Sequence, residues 1–108
     1  MLRHGADGAI RALDAVGSYP LGIDASETFT EAAIQLERGD TLLLYTDGIT
    51  EARGLAEVLF GVDRLTRVFR DGGDRAAELI DRLCEAVRAH MHSETAEDDQ
   101  TIVAARVL

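Results

Sequence analysis

Residues 39–52 read Gly39-Asp40-Thr41-Leu42-Leu43-Leu44-Tyr45-Thr46-Asp47-Gly48-Ile49-Thr50-Glu51-Ala52. The run Leu42 to Tyr45 stands between a Gly-Asp turn and an Asp-Gly turn. Short and without polar alternation, it reads as a strand buried on both faces. Upstream, Thr28 to Leu36 puts Thr30, Ala32, Ile34 and Leu36 in one phase and Glu31 and Gln35 in the other, the pattern of a half-buried strand. With only Glu37-Arg38-Gly39-Asp40 between them, the two runs predict an antiparallel hairpin. The chain then turns sharply at Asp47-Gly48.

The first 28 residues are rich in turn formers, with Gly5, Gly8, Gly17, Pro20 and Gly22 around one alternating run, Ala9 to Leu13, that reads as an edge strand. Downstream, Leu65, Val68 and Phe69 recur at helical spacing, and Gly72-Gly73 supplies a stop, predicting a helix from Phe60 to about Arg70. A second helix follows. Asp74 is its expected N-cap, and Ala76, Leu79, Ile80, Leu83, Cys84, Val87 and Met91 form one apolar stripe opposite Glu78, Asp81, Arg82, Glu85 and Arg88. After a polar, acidic loop from Ser93 to Gln100, the β-branched and small apolar residues of Thr101 to Leu108 read as a last buried strand. The order is strand, strand, strand, two helices, strand. It makes an α+β domain whose final strand returns to the earlier sheet.

The whole is 108 residues with 11 basic and 20 acidic side chains, a formal net charge of −9, and no lysine. One domain of this size buries roughly two-thirds of the surface its unfolded chain exposes. Without lysine there is no Schiff-base chemistry and no phosphate-binding loop ending in Gly-Lys-Ser/Thr. The negative charge and scattered arginines argue against nucleic acid and against an anionic membrane surface. A single cysteine, Cys84, forms no intrachain disulfide, and its place in an apolar stripe reads as a small buried hydrophobe. No run approaches 18 apolar residues, and no signal peptide is recognisable. A cytoplasmic location is expected.

Acidic side chains suit cations. Asp47-Gly48 follows one strand and Asp98-Asp99-Gln100-Thr101 precedes another. If those strands are antiparallel neighbours, the carboxylates of Asp47 and Asp98 converge, a costly pairing without a hard divalent ion such as Mg²⁺ or Mn²⁺. The same residues are also common turn formers, and Asp98 or Asp99 can cap a turn before a strand. Glu51, Glu94 and Glu97 read as solvated charges. His90 and His92, two apart, point different ways on a helix and do not share a metal. A single Ca²⁺ site in Glu94 to Asp99 lacks the alternating oxygens and central glycine of an EF-hand loop. The Asp-Gly-Ile-Thr string is also similar to the haloacid-dehalogenase phosphatases. Tyr45, however, stands where that family has its nucleophilic Asp, so the covalent route fails.

Several strings together resemble the carboxy-terminal half of SpoIIE/RsbU-type serine/threonine phosphatases, bacterial members of the metal-dependent PPM (PP2C-like) class. They are Pro20-Leu21-Gly22-Ile23, the stretch from Leu36 to Ala52, Phe60-Gly61 with Arg64-Leu65, and Asp98-Asp99-Gln100-Thr101. The resemblance runs from about residue 3 to 108. It implies a β-sandwich flanked by helices, two Mg²⁺ or Mn²⁺ ions at one edge, and a bridging water that attacks phosphoserine or phosphothreonine. Carried over residue by residue, Asp47 and Asp98 match metal-binding aspartates and are the catalytic positions. Asp99 occupies the next place in the metal motif, Gly48 and Thr101 support it, and Gln100 departs from a more usual apolar residue.

The family's early Asp and its Gly-Asp-x-x-Gly-His-Gly-like motif have no counterpart in the sequence. The resemblance therefore implies a truncated domain, residues 1–108, holding a partial PP2C-like sandwich, with little turnover alone. The implied substrate is a phosphorylated regulatory protein, of the anti-sigma-factor antagonist type by family analogy. Halving a sandwich exposes a strand face and unpaired edges, so a homodimer or strand exchange is expected. The alternative is a non-enzymatic, phosphatase-like module for interaction or self-association.

Overall fold

Leu42 to Tyr45 occupy the middle of a four-stranded antiparallel sheet in the computed structural model, which describes residues 1–91 and 98–108. The chain order is β1 (Leu2–Arg3), β2 (Ile10–Arg11), β3 (Thr41–Tyr45), α1 (Asp47–Thr50), a single 3₁₀ turn (Leu55–Glu57), α2 (Gly61–Asp71), α3 (Ala76–His90) and β4 (Ile102–Arg106). In the sheet the order is β2-β1-β3-β4. The fold is α+β, with the last strand returning beside β3 as expected.

Both edges of β3 are taken by distant segments. Leu2 pairs with Leu42 on one side, and on the other Tyr45 pairs with Ile102 and Leu42 with Ala105. The expected hairpin between Thr28–Leu36 and β3 therefore does not form. Residues 28–36 carry no regular structure and are largely exposed, because no edge of the central strand remains for them. The two-residue β1, too short to leave a periodic signal, takes that place instead.

Registration assigns the two faces. Arg3, Thr41, Leu43, Tyr45, Ile102, Ala104 and Arg106 share one face, which α2 and α3 cover with Leu65, Phe69, Leu79, Leu83 and Val87. Ile49, Ala52 and Phe60 complete that core. Leu2, Leu42, Leu44, Val103 and Ala105 share the other face. There an open groove is lined by Met1, Leu13, Ile34 and residues 42–45. Leu44 is 57% and Val103 51% exposed, so β3 is not buried on both faces as expected. β4 alternates between half-buried and exposed because helices cover only one of its faces, so it is not the buried strand anticipated.

The helices follow their apolar spacing. Leu79, Leu83 and Val87 are buried along α3 while Cys84 is half-buried. Gly72 is buried where a Cβ would collide with Leu79, and Gly73 has φ +81°, so the pair lets α2 stop and α3 pack closely against it. Asp74 is not the N-cap. Arg75 holds that position with no side-chain cap, and Asp74 reaches Arg106 of β4 at 3.2 Å. Tertiary pairing has won over local capping.

Two buried charges fasten the strands. Arg3 donates from Nη1 to the carbonyls of Phe69 (2.7 Å) and Arg70 (3.2 Å) and from Nη2 to Gly73 (2.6 Å), with its guanidinium 5.4 Å from the Phe69 ring centre. It satisfies the orphan carbonyls at the end of α2 with a cation, where the helix dipole favours one. Asp40 accepts the N–H groups of Glu37 (3.0 Å) and Gly5 (2.9 Å), with His4 Nδ1 3.7 Å away. Those backbone donors hold its carboxyl below the usual range.

Candidate functional site

The end of β3 and the start of β4 meet through their backbones. The Thr46 N–H donates to the Thr101 carbonyl at 3.1 Å. The Thr101 N–H donates to Thr46 Oγ1 at 3.0 Å, and that hydroxyl donates in turn to the Asp99 carbonyl at 3.3 Å. Gln100 Nε2 donates to the Gly48 carbonyl at 3.1 Å. Gly48 is buried against Asp99, and a Cβ at position 48 would collide with the Asp99 carbonyl oxygen. A glycine is required there by close approach, not by backbone angle.

This junction carries the acidic residues singled out from sequence. Asp47 opens α1 directly after the strand and is exposed. The N–H of Ile49 reaches the Thr46 carbonyl (3.1 Å) and that of Glu51 the Asp47 carbonyl (2.7 Å), so the Asp-Gly turn is one helical turn. Buried Ile49 anchors it in the core. Asp98 and Asp99 are exposed, and Asp98 Oδ1 accepts the Asp99 N–H at 2.8 Å. Thr101 contributes its peptide groups to the junction. The junction thus joins the segments that carry Asp47, Gly48, Asp98, Asp99 and Thr101.

In kind, these donors suit a hard divalent cation: carboxylate oxygens beside a glycine cradle that admits no Cβ. In number they fall short. Among the described residues, no group of three or more His, Cys, Asp or Glu side chains is gathered to hold a metal ion. His92, Glu94, Glu97 and most of the Ser93–Gln100 loop, with the Ca²⁺ reading placed there, lie outside the described residues.

The segment after α1 folds beside this edge under strain. Ala56 (φ 54°) and Glu57 (φ 61°) both adopt the left-handed conformation, and Glu57 pairs with Arg53 at 2.6 Å. His90, at the end of α3, pins the segment. Its Nε2 lies 2.8 Å from the Val58 carbonyl, so that nitrogen carries the proton, and its ring meets Phe60 edge-on at 5.6 Å. His90 thus acts as a structural latch. The sequence alone gives no role to the side chains of Thr46 and Gln100, which tie the junction, because their partners become visible only with the β3–β4 register.

The family described as "Stage II sporulation protein E (SpoIIE)" matches residues 1–108. The chain is also similar to protein IcfG of Synechocystis sp., 29% identical over 84 residues that make up 78% of this chain and 13% of that protein. The chain thus spans a small fraction of the length of this curated relative. No solved structure matches it.

Proposed function

The chain belongs to the SpoIIE family of PP2C-like phosphatases, and from that membership we propose that it contributes Asp47 and Asp98 to the metal site of a protein serine/threonine phosphatase. The observation that carries the reading is the junction of β3 with β4, where Thr46 to Gly48 touch Asp99 to Thr101. It sets two family-matched aspartates on adjoining, hydrogen-bonded segments.

Asp47 and Asp98 would hold Mg²⁺ or Mn²⁺, with Asp99 beside them and Gly48 and Thr101 in support. When bound, such ions supply Lewis acidity at the phosphoryl oxygens and make water nucleophilic near neutral pH. The chain's own residues prepare that. The Asp99 N–H occupies Oδ1 of Asp98 and fixes the carboxyl's orientation. A phosphate ester meets acidic side chains at this edge, and a bound cation would offset their repulsion. The remaining ligands, which the family draws from motifs without a counterpart in these 108 residues, complete the site.

The substrate fitting this reading is a phosphorylated regulatory protein of the anti-sigma-factor antagonist type, in the cytoplasm. The test is Mn²⁺-dependent phosphate release from a phosphoserine protein by the intact phosphatase carrying this segment. Asp47→Asn and Asp98→Asn should each abolish it. Activity surviving both changes overturns the assignment. The 108-residue chain alone should turn over little or no substrate, and a rate matching the intact enzyme would contradict the half-site.

One observation favours a second reading, a phosphatase-like interaction module. The sheet face carrying Leu44 and Val103 is uncovered by helices. Light scattering with and without Mn²⁺ separates the two. Metal-dependent stabilisation supports the phosphatase site, whereas self-association indifferent to metal supports the module.

A further inference from the structure

The junction contains two polar side chains that the metal-site reading does not use. Thr46 Oγ1 is an acceptor for the Thr101 N–H and a donor to the Asp99 carbonyl, so one hydroxyl spans both ends of the Asp99-Gln100-Thr101 segment. Gln100 returns the link from the other side, donating to the carbonyl of Gly48. Thr46 is the residue before Asp47, and Gln100 is two after Asp98. Each carboxylate-bearing segment therefore grips the backbone of the other next to its own aspartate. β4 begins only at Ile102 and β3 ends at Tyr45, so the regular ladder stops short of all three aspartates. Among the described residues, the segments are joined beyond Tyr45 and Ile102 by the Thr46–Thr101 backbone bond and these side-chain bonds.

We propose that Thr46 and Gln100 are positioning residues that hold the Asp47 and Asp98–Asp99 segments in the mutual register required for one divalent cation to engage both. The proposal rests on the metal-site reading above. Groups that orient metal ligands without touching the ion typically change metal affinity by about 10- to 100-fold when removed. The hydroxyl is the working part of Thr46. Valine keeps its shape and β-branching but can neither accept nor donate, while serine keeps both bonds.

The experiment is Mn²⁺ titration of the intact phosphatase carrying this segment, followed by the electron paramagnetic resonance of free Mn²⁺, with thermal midpoints measured in chelator. Thr46→Val should weaken Mn²⁺ binding about tenfold or more, Thr46→Ser should bind as the unmodified enzyme does, and Gln100→Met should weaken binding in the same direction. Midpoints without metal should stay together, since Thr46 and Gln100 are exposed and outside the core. Wild-type affinity in Thr46→Val, or an equal loss in Thr46→Ser, overturns the proposal. So does a loss of affinity that merely tracks a fall in the metal-free midpoint. Asp47→Asn keeps its failure separate from that of the phosphatase reading. If the unmodified enzyme binds no Mn²⁺, or binds it as well as Asp47→Asn does, the metal site itself fails and the positioning role falls with it. If Asp47→Asn loses binding and Thr46→Val does not, only the positioning role fails.

Discussion

Arg3 is 8% exposed, and its worth lies in what it caps. Three carbonyls at the end of α2 and the turn beyond depend on its guanidinium. Arg3→Met should cost about 3 kcal/mol in urea unfolding, because bonds to a charged donor are lost and buried acceptors are left unpaired. Arg3→Lys should recover only part of that, since a single ammonium cannot fork to carbonyls on two sides. Thr41 presents the opposite case. It is 1% exposed, and its Oγ1 has no hydrogen-bond partner among the described residues. Thr41→Val should raise stability by about 1 kcal/mol, read from the same unfolding curves. Asp40 sets an acid limit. Its carboxyl is held below the ordinary 3.8, chiefly by the Glu37 N–H and then by that of Gly5. A pKa lower in the folded than in the unfolded state stabilises fully above the unfolded value. That stabilisation is lost as pH falls below about 3.8 and through the folded value. Unfolding free energies measured from pH 6 down to 2 should show this decline, and Asp40→Asn should flatten it.

At the scale of elements, the close approach of the two strand ends depends on position 48. Gly48→Ala should cost about 1–3 kcal/mol through overpacking and push the Asp99 segment away, seen as faster amide exchange at Thr101. What could be foreseen in these elements divides by cause. α2 and α3 were legible because Leu65 and Phe69, then Leu79, Leu83 and Val87, repeat on one helical face. β3 was legible as a short apolar run between turns, and β4 as the β-branched run after Asp98. The Thr28–Leu36 pattern misled because alternation says only that a segment could pair, not that an edge is left for it. β1 escaped because two residues carry no period, and Asp74 because its partner, Arg106, is 32 positions away. The site followed the same rule. Asp47 and Asp98 were placed at strand ends by their flanking sequence, while the bonds of Thr46 and Gln100 depend on a register that only the folded sheet defines.

For the molecule as a whole, one face of the sheet is packed under helices and the other is only partly covered. Leu44 and Val103 are the exposed apolar residues of the face away from the helices, and among the described residues β4 ends the sheet with an unshared edge. Exposed apolar surface beside a free edge favours association. Leu44→Glu should therefore shift light-scattering masses toward the monomer at high concentration without lowering the thermal midpoint, and an unchanged mass would show that this face is not sticky. Among the described residues, no helix is long and apolar enough to cross a membrane. The wiring of the sheet also has a consequence in time. α2 and α3 are joined by only a few residues, whereas Arg3 meets Phe69 across 66 positions and Thr46 meets Thr101 across 55. Closing such long loops is slow compared with forming a helical pair. In a stopped-flow refolding experiment with pulsed hydrogen exchange, helical circular dichroism should return first and amide protection at Thr46 and Thr101 last. The junction would then act as a clock for the final step of folding, because those amides are paired only after the last strand has found the middle one.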